Sequence, residues 1–121
     1  MENDKKPIVY SCSGCSSAAQ LANYIAVRMD RAQVAEMSCI AGVGGDVRSL
    51  VNLAKSGRRI VALDGCALKC VEHCLKRHSV VANCHYVMSD LGVEKKYHQD
   101  FDKEQAEIVY KKIISELSWD V

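Results

Sequence analysis

The sequence predicts a small Rossmann-like α/β protein, a three-layer sandwich built on a four-stranded parallel sheet. The order of the segments along the chain leads to this fold class. Short β-prone segments alternate along the chain with longer segments whose apolar residues recur with a helical period. Such alternation is typical of parallel sheets, in which right-handed crossover helices connect the strands. The 121 residues have the length of one ordinary domain, so residues 1–121 are expected to form a single domain.

The first strand and helix are predicted close to the N-terminus. The segment from Pro7 to Cys12 is short and β-prone. Ser13-Gly14 then forms a turn into a long helix from about Ser16 to Arg31.

The second unit contains a strand candidate from Ala35 to Ala41. The loop Gly42-Val43-Gly44-Gly45 follows it, and Asp46 is the expected N-cap of the next helix. Gly57 is the expected C-cap of that helix. Its apolar stripe consists of Val47, Leu50, Val51 and Ala54.

The third unit begins with the most continuous apolar run, from Arg59 to Leu63, which predicts a central strand buried on both faces. Asp64-Gly65 leads into a helix from about Cys66 to Arg77, and a fourth strand is expected within Val80 to Met88. An apolar stripe of helical period predicts a last helix, with Lys111 and Lys112 facing outward. The residues of this stripe are Ala106, Val109, Ile113 and Leu117.

The composition is that of an average soluble protein, with 49% hydrophobic and 26% charged residues, and it argues against disorder. The 16 Lys and Arg against 15 Asp and Glu give a formal net charge of +1, so we expect neither nucleic acid nor a membrane as a partner. No segment resembles a signal peptide, and no run reaches the roughly 18 apolar residues of a membrane span. We therefore expect a cytoplasmic protein, whose protein partners the sequence does not identify.

The chain contains seven cysteines. An odd number without a signal peptide favours free thiols or metal ligands over a disulfide framework. Cys12 ends the first predicted strand, Cys39 is near the end of the second, and Cys66 closely follows the third. Parallel strands end at one edge of a sheet and lie about 4.8 Å apart. Sulfur atoms from three segments are therefore expected to meet where α/β sheets place their ligand sites.

Two cysteine pairs are suited to hold a metal ion. Cys12 and Cys15 form a C-x-x-C knuckle, in which Gly14 is expected to allow a tight backbone. Cys66 and Cys70 are one turn apart on the predicted helix. Zinc takes four ligands in a tetrahedron, so the two pairs predict a four-cysteine zinc site.

The other cysteines are assigned by their distance from these pairs. Cys39 is available as a fifth thiol of the metal site, and Lys69 is expected to help offset the thiolate charge. Cys74 is placed outside the site, because it would lie about 12 Å beyond Cys66 along the predicted helix. Cys84 is also placed outside, as a small apolar side chain in the first half of the fourth strand. Zinc is preferred over an iron–sulfur cluster, although cysteine thiolates bind both. The expected function is therefore zinc binding in a structural, sensing or metal-carrying role.

A thiol–disulfide redox enzyme, or a metal-dependent catalyst using the same cysteines, is the alternative function. A C-x-x-C motif beside a βαβ unit is typical of a redox dithiol, whose first thiolate is activated by the helix N-terminus. The second cysteine pair and Cys39 favour metal binding, because a redox dithiol needs only one pair. No reaction and no catalytic residue are assigned, since the sequence reveals neither a general base nor a substrate pocket.

The remaining polar motifs are interpreted as structural. The glycines from Gly42 to Gly45 do not complete a G-x-G-x-x-G motif, and no Walker lysine follows them, so a phosphate site is disfavoured. Asp64 is expected either to cap the third helix or to orient a ligand. His85 alternates with Cys84 along the fourth strand, so at most one of them faces any given site. Three histidines in polar stretches are expected to be solvated, namely His73, His78 and His98.

Two motifs resemble a known protein family. Ser11-Cys12-Ser13-Gly14-Cys15-Ser16, together with Leu63-Asp64-Gly65-Cys66 and Cys70, resembles the DGC family, whose members are proposed to bind zinc. The later Ser89-Asp90-Leu91-Gly92-Val93 with Lys95-Lys96 is similar to the C-terminal part of that family. The resemblance covers roughly residues 8–97, and it implies zinc held by Cys12, Cys15, Cys66 and Cys70. One departure is Ala67, where family members often have proline.

Overall fold

Four parallel strands form a sheet in the computed structural model of the protein, which describes residues 5–117. The strands are β1 (Ile8–Ser11), β2 (Glu36–Met37), β3 (Ile60–Asp64) and β4 (Cys84–Val87). Their order across the sheet is β2-β1-β3-β4, and every neighbouring pair is parallel. The predicted α/β fold is therefore confirmed, with β3 in an internal position as expected.

Helices pack on both faces of this sheet. The helices are α1 (Ser17–Arg31), α2 (Ile40–Gly44), α3 (Arg48–Ala54), α4 (Cys70–Lys76) and α5 (Lys103–Leu117), and a short 3₁₀ helix (Met88–Leu91) follows β4. Val9 of β1 is fully buried in a cluster with the apolar residues of α1 and α5. Ile8 and Tyr10 are fully buried on the opposite face, in a cluster with apolar residues of α2, α3 and α4. The alternation along β1 thus produces the predicted three layers.

The C-terminal helix α5 has the predicted amphipathic pattern. Lys111 and Lys112 are exposed. The residues of the predicted stripe are all buried, namely Ala106, Val109, Ile113 and Leu117. Within residues 5–117, no helix combines the length and the apolar character that crossing a membrane would require.

The second unit differs from its prediction. The strand β2 contains only Glu36 and Met37 instead of Ala35 to Ala41, and α2 begins directly after Cys39. The predicted loop from Gly42 to Gly45 is therefore helical as far as Gly44.

Close packing explains why α2 contains glycines. A Cβ atom at Gly42 would lie 2.0 Å from Cδ1 of Leu50 in α3, so only glycine fits there without rearrangement. Val43, the next residue, is fully buried among the residues of α4 and β3. Tertiary packing of α2 thus outweighs the poor helix propensity of glycine, which the sequence prediction had followed.

Asp46 does not cap α3, contrary to the prediction. Its φ angle is 65°, and Val47 occupies the N-cap position without a side-chain hydrogen bond. The Asp46 carboxylate instead accepts two hydrogen bonds of 2.9 Å from Arg77. His78 Nε2 lies 3.0 Å from the same carboxylate and 2.8 Å from the carbonyl oxygen of Val43. His78 is therefore half-buried between α2 and α4 and not solvated as predicted.

Two helix boundaries also differ from the prediction. The helix α3 ends at Ala54, and Gly57, the expected C-cap, lies beyond it in a turn with a φ angle of 92°. The helix α4 begins at Cys70 and not near Cys66. A turn precedes it, closed by a hydrogen bond of 3.0 Å from the Lys69 N–H to the Cys66 carbonyl. Lys69 has a left-handed φ angle of 53°, which a right-handed helix cannot contain.

Candidate functional site

A cavity of about 440 Å³ lies at the carboxyl edge of the sheet, where β1 and β3 end. Five thiols line it, contributed by Cys12, Cys15, Cys66, Cys70 and Cys74. The rest of the wall is largely apolar, with Ile40, Leu68 and Tyr97 among its residues. The expected convergence of the two cysteine pairs at this edge is therefore present.

Cys12 extends β1 by one residue into this cavity. Its backbone N–H donates to the carbonyl of Leu63 at 3.1 Å, so the ladder between β1 and β3 fixes its position. Cys12 Sγ accepts a hydrogen bond of 3.1 Å from the backbone N–H of Gly65. Burial raises the pKa of this thiol to about 11, although the Gly65 N–H acts in the opposite direction. Without a bound metal ion, Cys12 is therefore a protonated thiol at neutral pH.

The turn between β1 and α1 presents Cys15 at the cavity mouth. Ser16 caps α1 by accepting a hydrogen bond of 3.1 Å from the N–H of Ala19. Gln20 holds the turn by donating to two of its carbonyl oxygens, at 3.2 and 2.8 Å. Cys15 itself is exposed. Its backbone is therefore fixed, while its side chain remains accessible.

Gly65, and not Gly14, is the glycine that this site requires. A Cβ atom at Gly14 would make an ordinary contact of 3.8 Å with Ala19, so the special role expected for Gly14 is not needed. A Cβ atom at Gly65 would lie 2.7 Å from the backbone nitrogen of Ala19 and 2.9 Å from the carbonyl carbon of Ala18. The turn after β3 thus touches the backbone of α1, which brings the two cysteine-bearing turns together.

Asp64 fixes the start of α4, which begins with Cys70. Asp64 is fully buried, and its carboxylate accepts hydrogen bonds from the backbone N–H groups of Val71 at 2.7 Å and Glu72 at 3.3 Å. His85 Nε2 lies 2.8 Å from the same carboxylate. These contacts satisfy a buried carboxylate. Lys69 occupies the N-cap position of α4, so Asp64 is not the N-cap residue that was predicted. Its carboxylate instead accepts hydrogen bonds from the first turn of this helix, and His85 contacts the same carboxylate.

Lys95 places a positive charge beside Cys66. Its Nζ donates to Cys66 Sγ at 3.4 Å and lies 5.4 Å from the ring centroid of Tyr97. Hydrogen bonds to Tyr97 and to Cys66 raise the pKa of Lys95, so it is protonated at neutral pH. Ser17 holds the segment in place, because its N–H donates to the Lys96 carbonyl at 2.8 Å and its hydroxyl accepts from the Lys96 N–H at 3.0 Å.

The sequence analysis missed the role of Lys95. It assigned the compensating charge to Lys69, which adjoins Cys70 in sequence, but Lys69 is not among the described residues that line the cavity. Lys95 is far from the cysteine motifs along the chain, and its only signal was its place in the segment that resembles the DGC family.

Cys74 also lines the cavity, and its predicted place outside the ligands of the metal ion stays a prediction. That prediction measured its distance from Cys66 along one helix, whereas Cys66 lies in the turn before α4. Cys74 is instead one helical turn beyond Cys70. Its sulfur packs against α2, because a Cβ atom at Gly44 would lie 2.7 Å from Cys74 Sγ.

Two other cysteines lie elsewhere. Cys39 is exposed directly before α2, and the cavity wall formed by the described residues 5–117 does not include it. Its participation in a metal site stays a prediction. Cys84 is the first residue of β4 and packs against the core cluster of α1 and α5, as expected for a small apolar side chain.

The thiols line one cavity, but their sulfur atoms do not surround a common point. Within residues 5–117, no three or more Cys, His, Asp or Glu side chains stand where they could hold a metal ion as they are. The donor chemistry nevertheless suits zinc, since thiol sulfurs face one cavity. Cys15 and Cys70 are exposed, so rotation of their side chains is the simplest movement that would close the group.

Comparison with known proteins supplies the family. The sequence profile of the DGC domain matches residues 8–113, most of the chain. The chain belongs to the DGC domain family. Its DGC domain is similar to the "Anaerobic and virulence modulator AnvM" of Pseudomonas aeruginosa PAO1, with 56% identity over 108 residues, which cover 89% of this chain and 82% of the relative. No solved structure matches this DGC domain.

Proposed function

We propose that the protein binds zinc through the four thiols of Cys12, Cys15, Cys66 and Cys70. The observation that carries this proposal is that both cysteine pairs line one cavity at the carboxyl edge of the sheet. Four thiolates in a tetrahedron are a common structural site for zinc. Zinc would link the β1–α1 turn to the β3–α4 turn. These two turns are already close, because Gly65 packs against the backbone of α1.

The surroundings of the four sulfurs suit a charged thiolate centre. A zinc ion with four thiolates carries excess negative charge, which N–H donors and nearby cations stabilise. The Gly65 N–H already donates to Cys12, and Lys95 Nζ already donates to Cys66. The same donors would remain in place when the thiols lose their protons to a metal ion.

A thiol–disulfide redox enzyme is less well supported. Such an enzyme activates one thiol by lowering its pKa, whereas burial raises the pKa of Cys12, the first thiol of the C-x-x-C motif, to about 11. The relative is named a modulator. We therefore propose a structural or sensing role for the zinc centre in this protein, in preference to catalysis.

Elemental analysis of protein purified without chelator tests the zinc proposal. We expect near-stoichiometric zinc and no visible absorption, because an iron–sulfur cluster would be coloured. Each of the variants Cys12→Ser, Cys15→Ser, Cys66→Ser and Cys70→Ser should lose zinc. Cys84→Ser is the matched control and should retain it, since Cys84 packs in the core away from the cavity.

Two results would contradict the proposal. One is a metal-free wild-type protein with a reversible disulfide between Cys12 and Cys15, which would favour the redox enzyme. The other is full zinc retention in Cys66→Ser. Zinc content of Cys39→Ser decides separately whether Cys39 takes part, and we expect at most a partial loss because Cys39 is not on the cavity wall.

A further inference from the structure

The cavity contains one more thiol than a zinc ion can use. Cys74 lines the wall together with the four cysteines of the proposed zinc site. Because zinc takes four ligands, Cys74 is left over. Its neighbour along α4 is Cys70, one turn nearer the start of the helix.

The helical spacing of Cys70 and Cys74 limits what this pair can do. Side chains four residues apart on a helix have Cβ atoms about 5–6 Å apart. An unstrained disulfide needs Cβ atoms about 3.5–4.5 Å apart, so the helix opposes a direct bond between these thiols. Two sulfurs bridged by one ion, at about 2.3 Å from each, fit the wider spacing.

The surroundings of Cys74 favour a soft cation. The cavity that Cys74 lines has a largely apolar wall, which includes Ile40 and Leu68, and these two side chains offer no oxygen ligand to a hard ion. Thiolate ligands select Cu(I) among the biological metal ions.

We propose that Cys70 and Cys74 form a binding site for a soft monovalent cation, Cu(I), beside the zinc site. The proposal rests on the proposed function in that Cys70 is shared between both ions. A thiolate sulfur can be shared because it has more than one lone pair. The oxidation state of copper does not change, and binding releases the remaining thiol proton to solvent.

Titration of the zinc-loaded protein with Cu(I) tests this proposal. The titration is done without oxygen, in competition with the chromophoric chelator bicinchoninate, and both metals are counted after desalting. We expect one equivalent of Cu(I) with full retention of zinc. Cys74→Ser should weaken Cu(I) binding at least about tenfold, whereas Cys84→Ser, the matched control, should leave it unchanged.

Gly44→Ala provides a second variant that keeps every thiol. The added Cβ would lie 2.7 Å from Cys74 Sγ, so that sulfur must move. We expect weaker Cu(I) binding with zinc retained.

The possible results separate this proposal from the zinc function. Cu(I) binding that is unchanged in Cys74→Ser, or displacement of zinc by the first equivalent of Cu(I), would overturn the Cu(I) site and leave the zinc function intact. Zinc loss in Cys74→Ser would mean that Cys74 is a zinc ligand, and this result would also overturn the Cu(I) site. If the purified protein contained no zinc but bound Cu(I) through Cys74, the zinc function would be refuted and the Cu(I) site of Cys70 and Cys74 would be supported.

Discussion

The Cys12 thiol sits at the end of β1, where burial raises its pKa to about 11. Only the thiolate form reacts with an alkylating reagent, and at about pH 8 almost none of Cys12 is in that form. In metal-free protein, we therefore expect iodoacetamide to modify exposed Cys15 faster than Cys12. The rate at Cys12 should keep rising as the pH approaches about 11. Peptide mapping by mass spectrometry at several pH values measures both rates, and equal rates near pH 8 would contradict the assignment.

The Lys95 ammonium group is the cation that contacts a sulfur of the cavity, at 3.4 Å from Cys66 Sγ. Removing this charge should destabilise a thiolate centre, so Lys95→Met is expected to lower zinc affinity by about tenfold. Lys96→Met is the matched control, because Lys96 Nζ pairs with exposed Glu94 at 3.5 Å and should not affect zinc. Competition with a chromophoric zinc chelator measures the affinities. Equal losses in both variants would mean that Lys95 acts only through general surface charge.

The β3–α4 turn approaches the backbone of α1 closely at Gly65. Gly65→Ala would place a Cβ atom 2.7 Å from the backbone of Ala19, so we expect a destabilisation of about 1–3 kcal/mol in metal-free protein. Gly14→Ala meets only an ordinary contact at 3.8 Å and should change stability by less than about 0.5 kcal/mol. Urea unfolding measures both. A Gly65→Ala variant as stable as wild type would show that the two turns can separate freely.

The strand β3 and the long helices α1 and α5 were predictable because their signals are local. The apolar run of β3 and the stripe of α5 follow the periods that burial imposes, and the structure confirms them together with the long helix α1. The short elements were not predictable in the same way. In α2, Gly42 packs closely against Leu50 of a neighbouring helix, and the first turn of α4 donates a hydrogen bond to Asp64, so both short helices make contacts that lie outside their own sequence.

The cysteine-lined cavity was predictable in part, because the order of strands and helices determines where the strand ends lie. The rule that parallel strands end at one edge brings together Cys12, Cys15, Cys66 and Cys70, and the structure places all four on one wall. The late start of α4 removes the distance argument that separated Cys74 from Cys66, but whether Cys74 binds the metal ion stays a prediction. Lys95 could not be found, because its position depends on the hydrogen bonds between Ser17 and the backbone of residue 96.

Two clusters of buried apolar side chains form the core of the described residues 5–117. One packs α1 and α5 against the sheet, and the other packs α2, α3 and α4 against its opposite face. We therefore expect chelation of zinc to lower the Tm without abolishing the fold, unlike the behaviour of zinc fingers. Far-UV circular dichroism with and without chelator, followed through a thermal scan, measures this. A random-coil spectrum after chelation would contradict the independent core.

The cavity wall is built from segments that leave the ribosome at different times. The turn bearing Cys12 and Cys15 is synthesised first, β3 and its turn follow much later, and Lys95 comes close to the end of the described chain. A nascent chain therefore carries an open pair of thiols until β3 pairs with β1. The proposed zinc centre could not close around an ion before Cys66 and Cys70 have been synthesised, so the order of synthesis would set the earliest moment at which zinc could be loaded.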